Sequence, residues 1–242
     1  KHEIRQMAMM FGSQETIHAV AYSYLNETLG LEDYTAFLHE PSMADKFDFL
    51  MSTKADYSDK DLLESKDARK EVARSLAIFS AFAEGVSLYS SFAVLYSFQM
   101  RNLLKGIGQQ MKWSVRDESL HSKMGCRLFN HMCSEDETLR DDVKESIYEA
   151  AKLMVDMEHD YIDKIFEMGD IENLKAHDLK NFIYRRTNEK LQELGLKPIF
   201  EYDEKSDWFY HLTGGHTHTD FFAIRPTDYA KAGEGDNWDD IW

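Results

Sequence analysis

The sequence predicts an all-α protein built as a helix bundle, and three observations carry that expectation. Breakers are scarce, with 3 Pro and 12 Gly in 242 residues, which leaves room for long helices and argues against a many-turned β sandwich. Apolar residues recur at spacings of three and four through long runs, and no strand-period segment of comparable strength appears. The composition, 43% hydrophobic and 30% charged, is that of a globular chain long enough for a substantial core.

The first run covers residues 4–29, where Met7, Met10, Phe11, Ile17, His18, Ala21, Tyr22 and Leu25 form the stripe. Gly30 is its expected stop, followed by a turn and a short helix over 34–38. Pro41 suits the first turn of a helix reaching about residue 54. Residues 53–66 are polar and read as a surface connection. Residues 67–100 read as one continuous helix, apolar on most sides and therefore central in the bundle. Gly106 and Gly108 predict a break before a helix over 109–132. Ser134 and Glu137 resemble a capping box that opens a helix to Met168, with Gly169 as its stop. A last helix spans 177–194 and ends at Gly195. After Pro198 the character changes, so the helical domain is placed at 1–200 and a C-terminal segment at 201–242. Its acidic end, 234–242, is tipped with aromatic residues and suits a tail that orders on a partner.

Charge and cysteine content narrow the function. A net charge of -16 argues against nonspecific binding to nucleic acid or an anionic membrane. Cys126 and Cys133 form no CxxC motif and no zinc spacing with His131, so reduced structural thiols are expected. With no signal peptide and no apolar run long enough for a bilayer, the expected location is cytoplasmic.

Chemistry concentrates in two pairs, Glu15 with His18 and Glu118 with His121. Residues three apart share a helix face, so each pair can grip one ion together. Tyr22 lies one turn beyond His18 on the same face. Glu84 sits in a third apolar run, where a carboxylate is costly unless paired or metal-bound. Two such pairs plus lone carboxylates describe a dimetal-carboxylate bundle, and carboxylate and imidazole donors suit iron or manganese. The spacing alone is frequent in a chain with 10 His and many Glu, and core histidines in buried ion pairs would use the same residues. Placement inside apolar helices favours the metal site. From spacing alone Tyr22 is equally a redox tyrosine or a core tyrosine, and Asp117 is either a partner for a metal-bound histidine or one more charge beside Arg116. His216 and His218 read as solvated loop residues.

The motifs ETIHAVAY at 15–22, AEGV at 83–86 and RDESLH at 116–121 together resemble the small subunit of class I ribonucleotide reductase. The likeness continues through GDIENL at 169–174, FIYR at 182–185, LGL at 194–196, DFFAIR at 220–225 and Tyr229, and so covers essentially the whole chain. It implies a ferritin-like helical fold with two Fe, two Mn or a mixed pair per chain. It implies a radical on Tyr22, relayed to a large subunit that makes deoxyribonucleotides. Glu15, His18, Glu84, Glu118 and His121 match metal ligands. Asp117 matches the acid that holds a ligand histidine, taken as His18, and Tyr229 matches the relay tyrosine of the tail. Residues through Trp242 match the docking tail, and a homodimer is implied. Phe92 and Leu88 fall where the family shields its tyrosine, while Ser114 stands at a position that is often apolar, implying a more polar surrounding. The family also has a sixth ligand, usually aspartate, and a tryptophan upstream of Glu15. The sequence starts at Lys1, and the expectation is that it is part of a longer chain, ahead of a natural split or an impaired fragment. Rival readings are a related dimetal oxidase acting on a small organic substrate, an iron-storage bundle and a metal-free interaction module. Tyr22, Asp117 and the tail weigh against the first of these, and the tail tyrosine weighs against the second.

Overall fold

The computed structural model describes residues 1–31, 39–57, 60 and 64–203. The expected short helix over 34–38, Tyr229, the two loop histidines and the tail to Trp242 lie outside the described residues. Seven α-helices are described: α1 (His2–Thr28), α2 (Pro41–Ser52), α3 (Lys66–Ile78), α4 (Tyr89–Met100), α5 (Lys105–Glu135), α6 (Leu139–Phe166) and α7 (Ala176–Glu193). Among the described residues the one β pairing is an isolated bridge between Ile171 and Leu174.

Local chemistry explains several helix ends. Ser65 caps α3 by accepting from the Ala68 N–H at 3.2 Å. Pro41 opens α2. Gly30 and Gly195 adopt φ of 69° and 75°, the left-handed conformation that closes a helix. At the end of α7, the Leu196 N–H reaches Leu191 O at 2.9 Å and the Gly195 N–H reaches Gln192 O at 2.9 Å, a Schellman closure.

The core lies where α3, α5, α6 and α7 meet, around Phe82, Phe129, Ile147, Met154, Ile162, Ile183 and Leu191. Each such side chain contributes roughly 1.5–3 kcal/mol by leaving water. Gly125 lets α5 close on the α3 side, because a Cβ there would stand 1.9 Å from Ser80 Oγ. In contrast α1 has no buried residue and rests on α5, with Met9, Val20 and Tyr24 at least 66% exposed.

Three expectations about helix boundaries are corrected. Residues 67–100 are not one helix: α3 passes into a π turn, Phe79–Ala83, then into a turn over 84–88 before α4 begins. The Glu84 and Ser87 N–H groups bond five residues back, to Phe79 O at 3.1 Å and Phe82 O at 2.8 Å. Gly106 and Gly108 do not break the chain but lie in the first turn of α5. The break is at 101–104, where Asn102 and Leu104 carry the positive φ. Gly108 is instead a contact site, since a Cβ would meet Gln99 at 2.4 Å. Ser134 does not cap α6, because α5 runs through it to Glu135. Asp136 shapes that turn by accepting from the Thr138 N–H at 3.1 Å and its hydroxyl at 2.9 Å.

Candidate metal centre

Three stretches bring the charged cluster together. Helix α1 carries Glu15, His18 and Tyr22, α5 carries Ser114, Asp117, Glu118 and His121, and the turn after the π segment carries Glu84. Donor atoms of Glu15, Glu84, Glu118 and His121 all lie within 4.8 Å of one another. His18 joins them through Nδ1, 3.1 Å from Glu118 Oε1 and 3.6 Å from Glu15 Oε2. His121 Nδ1 stands 3.1 Å from Glu15 Oε1, 3.3 Å from Glu118 Oε2 and 3.5 Å from Glu84 Oε2. Glu15 and Glu118 thus each turn one oxygen toward either histidine, and Glu84 stands on the His121 side.

The outer nitrogens are held across the helix pair. His18 Nε2 lies 3.2 Å from Asp117 Oδ2 on α5. His121 Nε2 lies 2.9 Å from Gln14 Oε1 on α1. Each helix anchors the other's histidine and leaves Nδ1 facing the carboxylates, the arrangement that orients a ligating imidazole. Gln14 was not singled out from the sequence; its only signal is its place directly before Glu15. The Phe11 ring lies against His121, centroids 4.1 Å apart.

Electrostatics follows from burial and these contacts. Asp117 first, then Glu118 and Glu15, push His18 up to about 11. Burial works to lower His121, but Glu118, Glu15 and Glu84 outweigh it and carry it to about 11. Burial tends to raise Glu118, yet the imidazoles of His121 and His18 close beside it hold it well below the usual carboxylate range. Glu84 goes up to about 7, chiefly through burial. Glu15 is lowered by its bonds to His121 and His18. The imidazolium protons therefore balance the carboxylates, and divalent cations would displace them in that role.

The donor set fits a metal on an observation independent of any likeness. Glu118 Oε2 and His121 Nδ1 are buried and only 3.3 Å apart, yet neither finds a partner in hydrogen-bonding geometry, although such atoms in a folded interior are nearly always satisfied. Two orphaned ligand atoms facing each other in a carboxylate cluster are what a cation would satisfy. Tyr22 lies beside this cluster, its hydroxyl donating to Ser114 Oγ at 2.9 Å with Met111 Sδ at 3.7 Å. The polar neighbour expected from Ser114 is therefore in contact with the phenol. Burial raises Tyr22 to about 12, and the Ser114 bond works against that rise. Phe92 is buried, whereas Leu88, expected in the shield, is 38% exposed.

Residues 1–207 match the family model described as ribonucleotide reductase, small chain. A probable ribonucleoside-diphosphate reductase small subunit of Invertebrate iridescent virus 3 is 36% identical over 98% of this chain and 66% of its own length. Its counterpart in Invertebrate iridescent virus 6 is 31% identical over 99% of this chain and 75% of its own length. The ribonucleoside-diphosphate reductase subunit beta of Chlamydia pneumoniae is 27% identical, the alignment covering 96% of this chain and 68% of that protein. The chain thus spans 66–75% of these relatives. A solved structure assigned to class I ribonucleotide reductase, from Bacillus halodurans, shares the fold at a TM-score of 0.69 and 19% identity, over 84% of this chain and 72% of that one.

Proposed function

The chain belongs to the ribonucleotide reductase small-chain family, and we propose that its cluster holds two metal ions that serve to generate a radical on Tyr22. The radical is then passed to a large subunit, which reduces ribonucleoside diphosphates to deoxyribonucleotides. The ions are iron, manganese or one of each. The observation that carries this reading is the placement of Glu15 and Glu118, each with one oxygen toward His18 and the other toward His121. Carboxylates that span two imidazoles suit a pair of cations better than a single one. Glu84 and His121 would hold one ion, and His18 the other.

Bound there, the metals supply the oxygen-driven one-electron oxidation that no side chain can perform. The side chains do the rest. Asp117 and Gln14 fix the two imidazoles. Tyr22 keeps its proton at rest, because burial disfavours the phenolate. On oxidation it gives up one electron and the phenolic proton, with Ser114 Oγ as the hydrogen-bond acceptor in place. Asp117, beside His18, is the first step of the path outward, and Tyr229 in the tail continues it to the large subunit. Residues up to Trp242 dock there, and the small subunit acts as a homodimer in the cytoplasm. Among the described residues no helix is long and apolar enough to cross a membrane.

Low-temperature electron paramagnetic resonance after reconstitution with iron or manganese and oxidant tests the reading. The expected result is a tyrosyl signal that Tyr22→Phe abolishes while about two metals per chain stay bound. Two metals without a tyrosyl signal in the unmutated protein would reject the Tyr22 assignment. Full ribonucleotide reduction by Tyr229→Phe with the large subunit would reject the tail relay.

A further inference from the structure

The helical run that carries Glu84 is broken, and side chains satisfy the carbonyls that the break turns out. Ala83 O accepts from Ser87 Oγ at 2.8 Å. Gly85 O accepts from Arg186 Nε, on α7, at 2.5 Å. Ser87 O accepts from Lys46 Nζ, on α2, at 2.8 Å. The last two donors are buried cations, 7% and 6% exposed, from helices far apart in sequence. Burying a cation is costly unless it is well partnered. Lys46 is paired with the fully buried Glu158, which also accepts from Ser90 Oγ. The Arg186 guanidinium lies over the Tyr89 ring, 3.4 Å from its centroid. The carbonyl end of a helix carries partial negative charge, so both cations stand in a favourable field.

The geometry around residue 85 leaves little slack. A Cβ there would stand 2.2 Å from Ala81 O and 2.8 Å from both Lys190 Cδ and Ser122 Oγ. A π turn adds one residue to the helix, and each residue turns the chain beyond it by about 100° around the axis. Where the break falls therefore decides which way residue 84 faces. Healing the break into a regular helix would recover backbone hydrogen bonds, so something has to oppose that.

We propose that Lys46 and Arg186 are positioning residues, which clamp the Ser87 and Gly85 carbonyls and so set where the Glu84 carboxylate stands against His121. Lys46 pairs with Glu158 and donates to Ser87 O, and Arg186 donates to Gly85 O, so both act through the backbone just after Glu84. The inference rests on the dimetal reading above and adds to it the device that places one ligand.

Cobalt titration of the full-length protein, read by the visible spectrum and by affinity, tests the clamp. Arg186→Met removes one cation, and Lys46→Met with Glu158→Met removes the other without stranding a buried charge. Each is expected to weaken one cobalt site by about tenfold or more and to alter its spectrum. Val143→Ala, in the α6 core, lowers the melting temperature and leaves both readouts unchanged. Arg186→Lys keeps a donor for Gly85 O and falls between Arg186→Met and the unmutated protein. In a Glu84→Ala background Arg186→Lys has no further effect on affinity, because the cation acts only through that carboxylate. Unchanged affinity and spectrum in the folded charge-removed variants would overturn the clamp. So would an additive loss in the Glu84→Ala background, which still decides the matter if the charge-removed variants do not fold. An unmutated protein that binds no cobalt would overturn the metal reading itself.

Discussion

The two histidines carry the same chemistry in unlike surroundings. His121 is 1% exposed, on the central helix α5, with Glu84 beside it and Gln14 behind. His18 is 12% exposed, on α1, a helix with no buried residue, and its nearest carboxylates besides Asp117 are the two it shares with His121. One half of the site is thus built into the core and the other is laid against it. The core half has its donors fixed by packing before any ion arrives, which is preorganisation. The α1 half can shift with the helix that carries it. Identical residue types at identical spacing give unequal sites, because burial and support differ.

The largest effect expected is from Glu118→Ala, which removes the buried one of the two carboxylates common to both halves. Affinity for metal at both positions should fall by at least about a hundredfold, since a ligand change exceeds the tenfold to hundredfold cost of losing an outer partner. Metal analysis after gel filtration reads this directly. If one metal stays tightly bound, the carboxylate serves one half only and the comparison is broken.

Separating the halves comes next in size. His121→Ala strands buried Glu118 and partly buried Glu84 without their shared imidazole, and should cost about 3 kcal/mol of stability, as breaking a buried pair does. His18→Ala leaves Glu118 still beside His121 and strips a partner only from the more exposed Glu15 and Asp117, and should cost about 1 kcal/mol. Denaturant unfolding of the metal-free variants measures both. Equal losses would mean that α1 is as firmly seated as α5.

This same contrast marks what could be read from the sequence. The Glu-x-x-His pairs, Glu84 and the long helices were legible because helix periodicity alone places residues three apart on one face. The glycine stops at Gly30 and Gly195 were legible because each needs positive φ. The π turn was not, since its cause is tertiary. Gly85 is crowded by Ala81 O, Lys190 and Ser122, and the freed carbonyls are met by Arg186 and Lys46, none of which periodicity reports. Gly108 misled for a related reason: its missing side chain makes room for Gln99 rather than for a turn. Gln14 escaped because its partner, His121, is more than a hundred residues away in sequence.

The smallest effect should come from Ser114→Ala, and it sharpens the comparison by leaving it untouched. Ser114 Oγ is the acceptor for the buried Tyr22 phenol, and the remaining neighbour, Met111 Sδ at 3.7 Å, is a weak acceptor. Removing the hydroxyl should cost about 1 kcal/mol, the usual worth of one such bond. Ser114 is absent from both histidine networks, so metal affinity in the two halves should be unchanged. The tyrosyl signal, in contrast, should shift, because the hydrogen bond on the phenolic oxygen governs how spin density is spread over the ring. A shifted signal with unchanged metal binding would separate the radical's surroundings from the metal site. Weaker metal binding in Ser114→Ala would show instead that Tyr22 and Ser114 help to seat α1, making the laid-on half of the site depend on the tyrosine's anchor.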